Sequence, residues 1–266
     1  TDFGCFIDTG DLALLSVSPE LFFRLDGATI ACQPMKGTAP RGLWNADDEM
    51  RAGMLRASPK ERAENVMIVD MMRNDLGRIA ETGSVEVPEL LSVERYPTVW
   101  QMTSTVTART TTGLADIFAA LHPSASVTGA PKIRAMEIIR DLECAARGVY
   151  CGSLGVIAPD GDIRFNVAIR TLTLFPDHEL VCNVGSAVVA DSRARVLVLS
   201  DSCHSGTVTR AAPPRISTGA GGVVAGRPKM MPPSLPVIVI PAWLNSKSVW
   251  LSPSGARVET PKNSHV

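Results

Sequence analysis

A lysine, two closely spaced glutamates and a helix-opening motif are the residues of this chain best placed to do chemistry. Lys36 lies in Gln33-Pro34-Met35-Lys36-Gly37-Thr38-Ala39-Pro40-Arg41-Gly42, a tight glycine-rich turn after the apolar stretch 28–32. A lysine in such a turn is either a solvated surface residue or, if its amine is kept neutral by desolvation or nearby positive charge, a nucleophile. Glu61 and Glu64 stand three residues apart and therefore share one helical face. They could hold an oxygen-loving cation, although Glu61 could equally close a capping box with Ser58. The run Ser126-Val127-Thr128-Gly129-Ala130-Pro131-Lys132 leads into a helix, whose first free N–H groups suit an anion. Glu20 is either an acid or a solvated strand-end carboxylate, and Arg170 has the fork geometry for a carboxylate.

The elements that must position these groups are partly legible. Residues 12–17, 21–25 and 28–32 are short apolar runs between turn residues and predict strands. Ser58-Pro59-Lys60-Glu61 opens a helix with proline at its first position, and apolar residues continue it to about Ile79. Strands are predicted again at 99–108, 149–157, 163–174 and 180–189, with a helix over 132–143. After Ser192 the character changes: residues 211–236 are crowded with Pro and Gly and lack apolar periodicity, which predicts poor order. The expected organisation is a catalytic unit over 1–192 and an unrelated tail over 193–266.

Composition narrows the class of partner. Apolar content of 45% and charged content of 20% predict a soluble globular protein, and a net charge of −1 gives no reason to expect nucleic acid or a membrane surface. No apolar run is long enough to cross a bilayer, and no signal-like stretch opens the chain. The six cysteines are scattered without a C-x-x-C pair, as in a reduced, cytoplasmic protein.

In order and spacing, these segments resemble the chorismate-utilising enzymes, in the form of aminodeoxychorismate synthase component I. The resemblance is carried by Pro34-Met35-Lys36-Gly37-Thr38, Ser18-Pro19-Glu20, Lys60-Glu61-Arg62-Ala63-Glu64-Asn65 with Arg73-Asn74-Asp75-Leu76, Ser126 to Lys132, Gly148-Val149-Tyr150-Cys151-Gly152, Asn166 to Thr171, and Asn183-Val184-Gly185-Ser186-Ala187. It implies an α+β, anthranilate synthase-like fold of mostly antiparallel sheets with flanking helices. It also implies amination of chorismate to 4-amino-4-deoxychorismate for 4-aminobenzoate and folate synthesis, with ammonia from a glutamine amidotransferase partner. Lys36 becomes the nucleophile at ring C2 and Glu20 the acid for the departing hydroxyl. Glu64 and Glu61 become Mg²⁺ ligands, and Thr38, Thr128, Gly129, Tyr150, Arg170, Gly185 and Ser186 become substrate contacts. Anthranilate synthases carry alanine where Lys36 stands and histidine where Gln101 stands, so Lys36 selects the subtype; anthranilate, isochorismate and salicylate synthases are the neighbouring alternatives.

The pattern also departs from the family. Ala187 replaces a usual glycine. After Ala190-Asp191-Ser192 the family continues into an acidic helix that completes its Mg²⁺ site, whereas Arg193-Ala194-Arg195 follows here. The segment before Phe3 is also short of the family's first strands, so the fold is expected to be truncated at both ends and the activity impaired. The replacement, Val196 to Gly206 with Cys203, resembles the nucleophile strand of metacaspase-type cysteine peptidases; His122 and His178 stand in contexts that match no partner histidine of that mechanism. A peptidase fragment and a non-catalytic chorismate-binding remnant are the readings from other classes.

Overall fold

The computed structural model describes residues 3–143, 145–185 and 187, together with three short strands at 237–240, 250–251 and 257–258. Two antiparallel sheets carry the molecule. A hairpin of β1 (Cys5–Asp8) and β2 (Ala13–Ser16) opens the chain, and the chain then passes into a second hairpin, β3 (Leu21–Asp26) and β4 (Thr29–Gln33). β5 (Met35–Pro40) follows, then helices α1 (Asn45–Ala57) and α2 (Pro59–Gly77), the long strands β6 (Glu86–Arg95) and β7 (Val99–Arg109), and helix α3 (Leu114–Leu121). A 3-10 turn (Ala125–Val127) precedes α4 (Lys132–Leu142). The strands β8 (Ser153–Ile157), β9 (Ile163–Val167), β10 (Thr171–Leu174) and β11 (Leu180–Cys182) close the main body.

The smaller sheet has the order β1-β2-β10-β11. The larger runs β8-β9-β3-β4-β7-β5, with β6 also on β7. Beyond β8 it continues through β12 (Val237–Ile240), β13 (Trp250–Leu251) and β14 (Arg257–Val258), with Val237 opposite Val156 and Ile240 opposite Ser153. The expected α+β architecture of antiparallel sheets with flanking helices is what forms.

Helix α2 lays one face on the larger sheet, burying Ile68, Val69, Met72 and Leu76 against Phe22, Ile30 and Val106. Phe22, Phe23, Phe118 and Phe165 form the aromatic centre, with Phe118 edge-on to Phe165 at 4.8 Å and Phe23 stacked on it at 5.2 Å. Both faces of β3 are covered at Leu21, Phe22 and Phe23, which is why that strand reads as an apolar run rather than an alternation. No helix among the described residues is long and apolar enough to cross a membrane.

Four expectations need correction. Lys36 stands in strand β5 at an irregularity, not in a tight turn. The run 163–174 is two strands in different sheets, broken where Arg170 takes a left-handed φ of 51°. The run 149–157 begins as a turn, because Cys151 also has a positive φ, of 64°, and β8 starts only at Ser153. The strand predicted over 180–189 ends at Cys182.

Candidate functional site

Two of the places where the chain crosses between the two sheets lie side by side. Residues 17–20 lead from β2 to β3, and residues 168–170 lead from β9 to β10. The Val17 N–H donates to the Arg170 carbonyl (3.1 Å) and the Val167 N–H to the Glu20 carbonyl (3.1 Å). The Ser18 hydroxyl donates to the Val167 carbonyl (2.6 Å) and accepts from the Glu20 N–H (3.2 Å). A third segment joins them: Cys151 N–H donates to Ala168 O and Ala168 N–H to Gly152 O, both at 2.9 Å, which places the Tyr150 turn on the same seam. Backbone bonds between segments about 150 positions apart therefore hold Glu20 and Arg170 as neighbours.

Glu20 is 3% exposed, and one of its carboxylate oxygens has no protein partner. Burial pushes its pKa up to about 7, opposed by a hydrogen bond from the Ser126 hydroxyl and by the positive charges of Lys36 and Arg170. A carboxyl group that is neutral or anionic near pH 7, with one oxygen left for a ligand, suits a proton donor. Ser126 is itself buried and shares a hydroxyl–hydroxyl hydrogen bond with Ser124 (3.0 Å).

Lys36 reaches this place through an irregular strand. The pairing of β5 with β7 slips between Met35 and Thr38, and Gly37 takes φ 98° inside the slip. A Cβ on Gly37 would lie 3.2 Å from Cβ of both Glu61 and Met102, so only glycine lets β5 approach α2 this closely. The Gln101 amide donates to the Gly37 carbonyl (2.8 Å) and accepts from the Thr38 hydroxyl (2.9 Å). Thr38 is thereby committed to Gln101, on the exposed side of the strand.

Glu61 and Glu64 extend from the first turns of α2. Ser58 caps that helix, accepting from the Glu61 N–H (3.4 Å), but its own N–H already donates to Leu55 O (3.2 Å), so the Glu61 carboxylate is not drawn into a capping box. Instead the Lys60 ammonium bridges Glu61 (3.1 Å) and Glu64 (2.9 Å). Burial disfavours that ammonium's charge, yet the two carboxylates outweigh it and raise its pKa. A cationic group held between the two carboxylates shows that the pair can embrace a positive ion. No group of three or more His, Cys, Asp or Glu side chains gathers for a metal among the described residues. Mg²⁺ commonly takes one or two carboxylates and completes its shell with water and substrate oxygens, so this donor pair fits that ion.

The segment expected to bind an anion is less regular than the sequence suggests. Thr128 does not cap α4; its hydroxyl donates back to Ser124 O (3.2 Å) and Ala125 O (3.3 Å), closing the 3-10 turn. Gly129 follows, packed so that a Cβ would come within 2.9 Å of Ala135. Lys132 is tied to Asp75 (2.5 Å) and Leu121 O (3.0 Å), which makes it a strut between α2 and α4. Arg147 joins the Tyr150 turn to the 3-10 turn through Val127 O (3.3 Å), and its guanidinium lies 5.8 Å from the Tyr150 ring centroid.

The structure thus brings Lys36, Glu20 and Arg170 together, with Glu61, Thr38, Tyr150, Thr128 and Gly129 on the segments around them. Glu64 joins through Lys60. Gly185 follows β11 at the edge of the smaller sheet; Cys182, the last residue of β11, stands opposite Leu172, so the chain leaves that strand on the side of the 168–170 crossing. Ser186, the boundary near Ser192 and the Cys203 segment lie outside the described residues. Sequence reasoning missed Ser126 as the partner of Glu20 and Asn65 as a buried polar residue at Lys36. Both stand inside matched motifs, and a serine or asparagine among apolar neighbours was the available signal.

A family model described as "chorismate binding enzyme" matches residues 1–195. Aminodeoxychorismate synthase component 1 of Klebsiella aerogenes is 49% identical over 71% of this chain, which spans 42% of that protein. Anthranilate synthase component 1 of Streptomyces coelicolor is 44% identical over 69% of the chain and 36% of its own length. Among solved structures, anthranilate synthase component I of Streptococcus pneumoniae superposes with a TM-score of 0.60 at 36% identity, over 66% of this chain and 39% of that one. The 2,3-dihydroxybenzoate-specific isochorismate synthase of Bacillus anthracis superposes at 0.62 and 27% identity, over 71% and 52%. The chain spans less than half the length of the curated relatives it matches. Matched over most of its length by that family model, the chain belongs to the chorismate-binding enzyme family.

Proposed function

We propose that this chain carries the chorismate-aminating centre of an aminodeoxychorismate synthase component I. The observation that carries the reading is the buried Glu20 carboxyl, with one oxygen unpartnered and its charge balanced by Lys36 and Arg170. In this reading Arg170 and the N–H groups around Thr128 and Gly129 bind substrate carboxylates, while Tyr150 borders the ring. The Lys36 amine forms a bond to ring C2; the two ring double bonds shift and the C4 hydroxyl leaves as water with a proton from Glu20. Ammonia then bonds to C4, both ring double bonds shift back, the Lys36 amine is released, and the proton lost by the new C4 ammonium returns to Glu20. Glu61 and Glu64 would hold Mg²⁺, which when bound neutralises and orients a substrate carboxylate. A glutamine amidotransferase is the proposed source of ammonia.

By itself the chain is proposed to be impaired, since two carboxylates are offered to the ion among the described residues and Arg193-Ala194-Arg195 stands where the resemblance implies a further acidic helix. The test is chorismate with ammonium and Mg²⁺, followed by product analysis in wild type and Lys36→Ala. Slow formation of 4-amino-4-deoxychorismate, lost in the variant, is expected. Robust turnover would refute the impairment, and anthranilate as product would refute the subtype. If chorismate produced neither turnover nor a shift in melting, the binding site itself would be misassigned.

A further inference from the structure

We infer that Asn65 is a positioning residue for Lys36: its side-chain amide fastens the Lys36 carbonyl to helix α2, one residue beyond Glu64, and so fixes where the amine is presented. The inference rests on Lys36 being the reacting amine. Asn65 is 1% exposed and lies among apolar α2 residues that pack on the sheet, Ile68, Val69 and Met72. Its Nδ2 donates to the carbonyls of Lys36 (3.2 Å) and Met102 (3.4 Å), and its Oδ1 accepts from the Ser104 hydroxyl (2.6 Å). Ser104 is anchored in turn: its hydroxyl accepts from the Leu91 N–H (2.9 Å) and its own N–H donates to Pro34 O (3.1 Å). One buried amide thus uses both donor hydrogens and its acceptor on β5 and β7, with β6 behind them.

The location explains the need. Strand pairing slips between Met35 and Thr38, so the ladder does not serve both carbonyls inside the slip. Asn65 takes the carbonyl of Lys36 and Gln101 takes that of Gly37. The two side-chain amides grip adjacent peptide units, which leaves the Lys36 side chain little freedom of origin. An apolar residue at 65 would fill the volume but leave the Lys36 carbonyl, the Met102 carbonyl and the Ser104 hydroxyl to find other partners. The same helix carries Glu61, whose carboxylate would stand 3.3 Å from a Gly37 Cβ. The candidate ion-binding carboxylates and the amine are therefore built on one rigid joint.

The experiment reads Lys36 directly and needs no chorismate. Asn65→Asp keeps an acceptor for Ser104 but sets a carboxylate oxygen against two carbonyls; Asn65→Ala removes all three bonds; Ser104→Ala keeps both Asn65 donor bonds and removes the far anchor, together with the acceptor of the Leu91 N–H. In each, the acylation rate of the Lys36 amine by an activated ester is measured by mass spectrometry, with Lys60 and Lys132 as internal references. Amide hydrogen exchange of residues 33–39 is followed in parallel. Expected is exchange about tenfold faster at 35–38 in Asn65→Ala, the factor that one lost hydrogen bond gives, with a changed Lys36 rate relative to both reference lysines. Ser104→Ala shifts both readouts the same way by less, and it serves alone if the Asn65 variants do not fold. Unchanged Lys36 reactivity and exchange in a folded variant would overturn the inference, as would a rise shared equally by all lysines, which is the mark of general loosening. Loss of turnover in Lys36→Ala tests the reading of Lys36 separately, so the two can fail independently.

Discussion

Two carboxylates, both largely removed from water, are treated in opposite ways in this molecule. Asp48, near the start of α1, is satisfied on every side. Arg41 grips it with two guanidinium N–H groups (2.7 and 2.5 Å), the Gly42 N–H and the Trp100 indole N–H each donate at 2.8 Å, and the guanidinium lies 5.0 Å from the Trp100 ring centroid. The Arg41 hydrogen bonds above all, helped by Gly42 and Trp100 and opposed by desolvation, hold its carboxyl well below the usual carboxylate range. Glu20 is buried with a hydroxyl donor, two more distant positive charges and one oxygen unpartnered, and its pKa rises to about 7. The first arrangement fastens a loop to a helix. The second leaves a carboxyl group capable of exchanging a proton, at a cost in stability that a purely structural site would avoid.

The largest effect should come from the structural side. Gly42→Ala would place a Cβ 2.2 Å from the Asp48 backbone nitrogen, which cannot turn aside as a side chain can, so α1 must shift. A loss of about 3 kcal/mol or more is expected, read by chemical denaturation; a neutral result would mean the loop and α1 are not clamped as described. Next comes the pH dependence of Glu20. Its folded pKa lies above the unfolded one, so the folded state holds the extra proton, and stability falls as pH rises from about 4.5 through 7. The span corresponds to about 3 kcal/mol. Glu20→Gln should abolish that decline and melt above wild type at pH 8; parallel curves would show that Glu20 is solvated.

Asp48 predicts the mirror image. Its lowered pKa contributes stability that is present above about pH 4 and lost as pH falls below it. Asp48→Asn should therefore lower the melting temperature at pH 7 and flatten the acid limb alone, while leaving the decline above pH 4.5 intact. A smaller effect is expected at Gly37→Ala, where φ is 98° and the nearest contacts, at 3.2 Å, are side-chain atoms. About 2 kcal/mol is the expected loss, with a larger fractional effect on chorismate binding than Gly42→Ala shows among folded molecules. The smallest change is in Ser126→Ala, which removes a hydrogen bond that lowers the Glu20 pKa. Carboxyl-specific infrared or NMR titration should find it higher by about one unit; no change would remove Ser126 from the site.

How far the sequence led differs from element to element. Helix α2 was legible because Ser58 and Pro59 mark its start and its apolar positions continue to Leu76. Helix α1 was not: only Ala52 and Leu55 of its apolar residues are buried, and Met50 and Met54 face outward, so no apolar stripe shows. The short α3 carries apolar residues at helical spacing, Leu114, Ile117, Phe118 and Leu121, but has only 8 residues in which to show it, whereas the strand β6, with its register slips and a left-handed Leu91 at φ 60°, shows no alternation. At the site, the residues themselves could be named from motif order, but not what they touch.

The sequence alone determined the family, the candidate groups for the chemistry and the start of the helix that bears Glu61 and Glu64, because those depend on residue types at fixed local spacing. Only the tertiary structure decided that Lys36 rides a slipped strand rather than a turn, that Arg170 breaks one apolar run into two sheets, and that Glu20 lies beside both. Those outcomes come from pairing between segments about 65 positions apart for Lys36 and about 150 apart for Glu20 and Arg170, and from a carboxylate whose pKa is set by which neighbours burial leaves it. Local sequence holds neither piece of information.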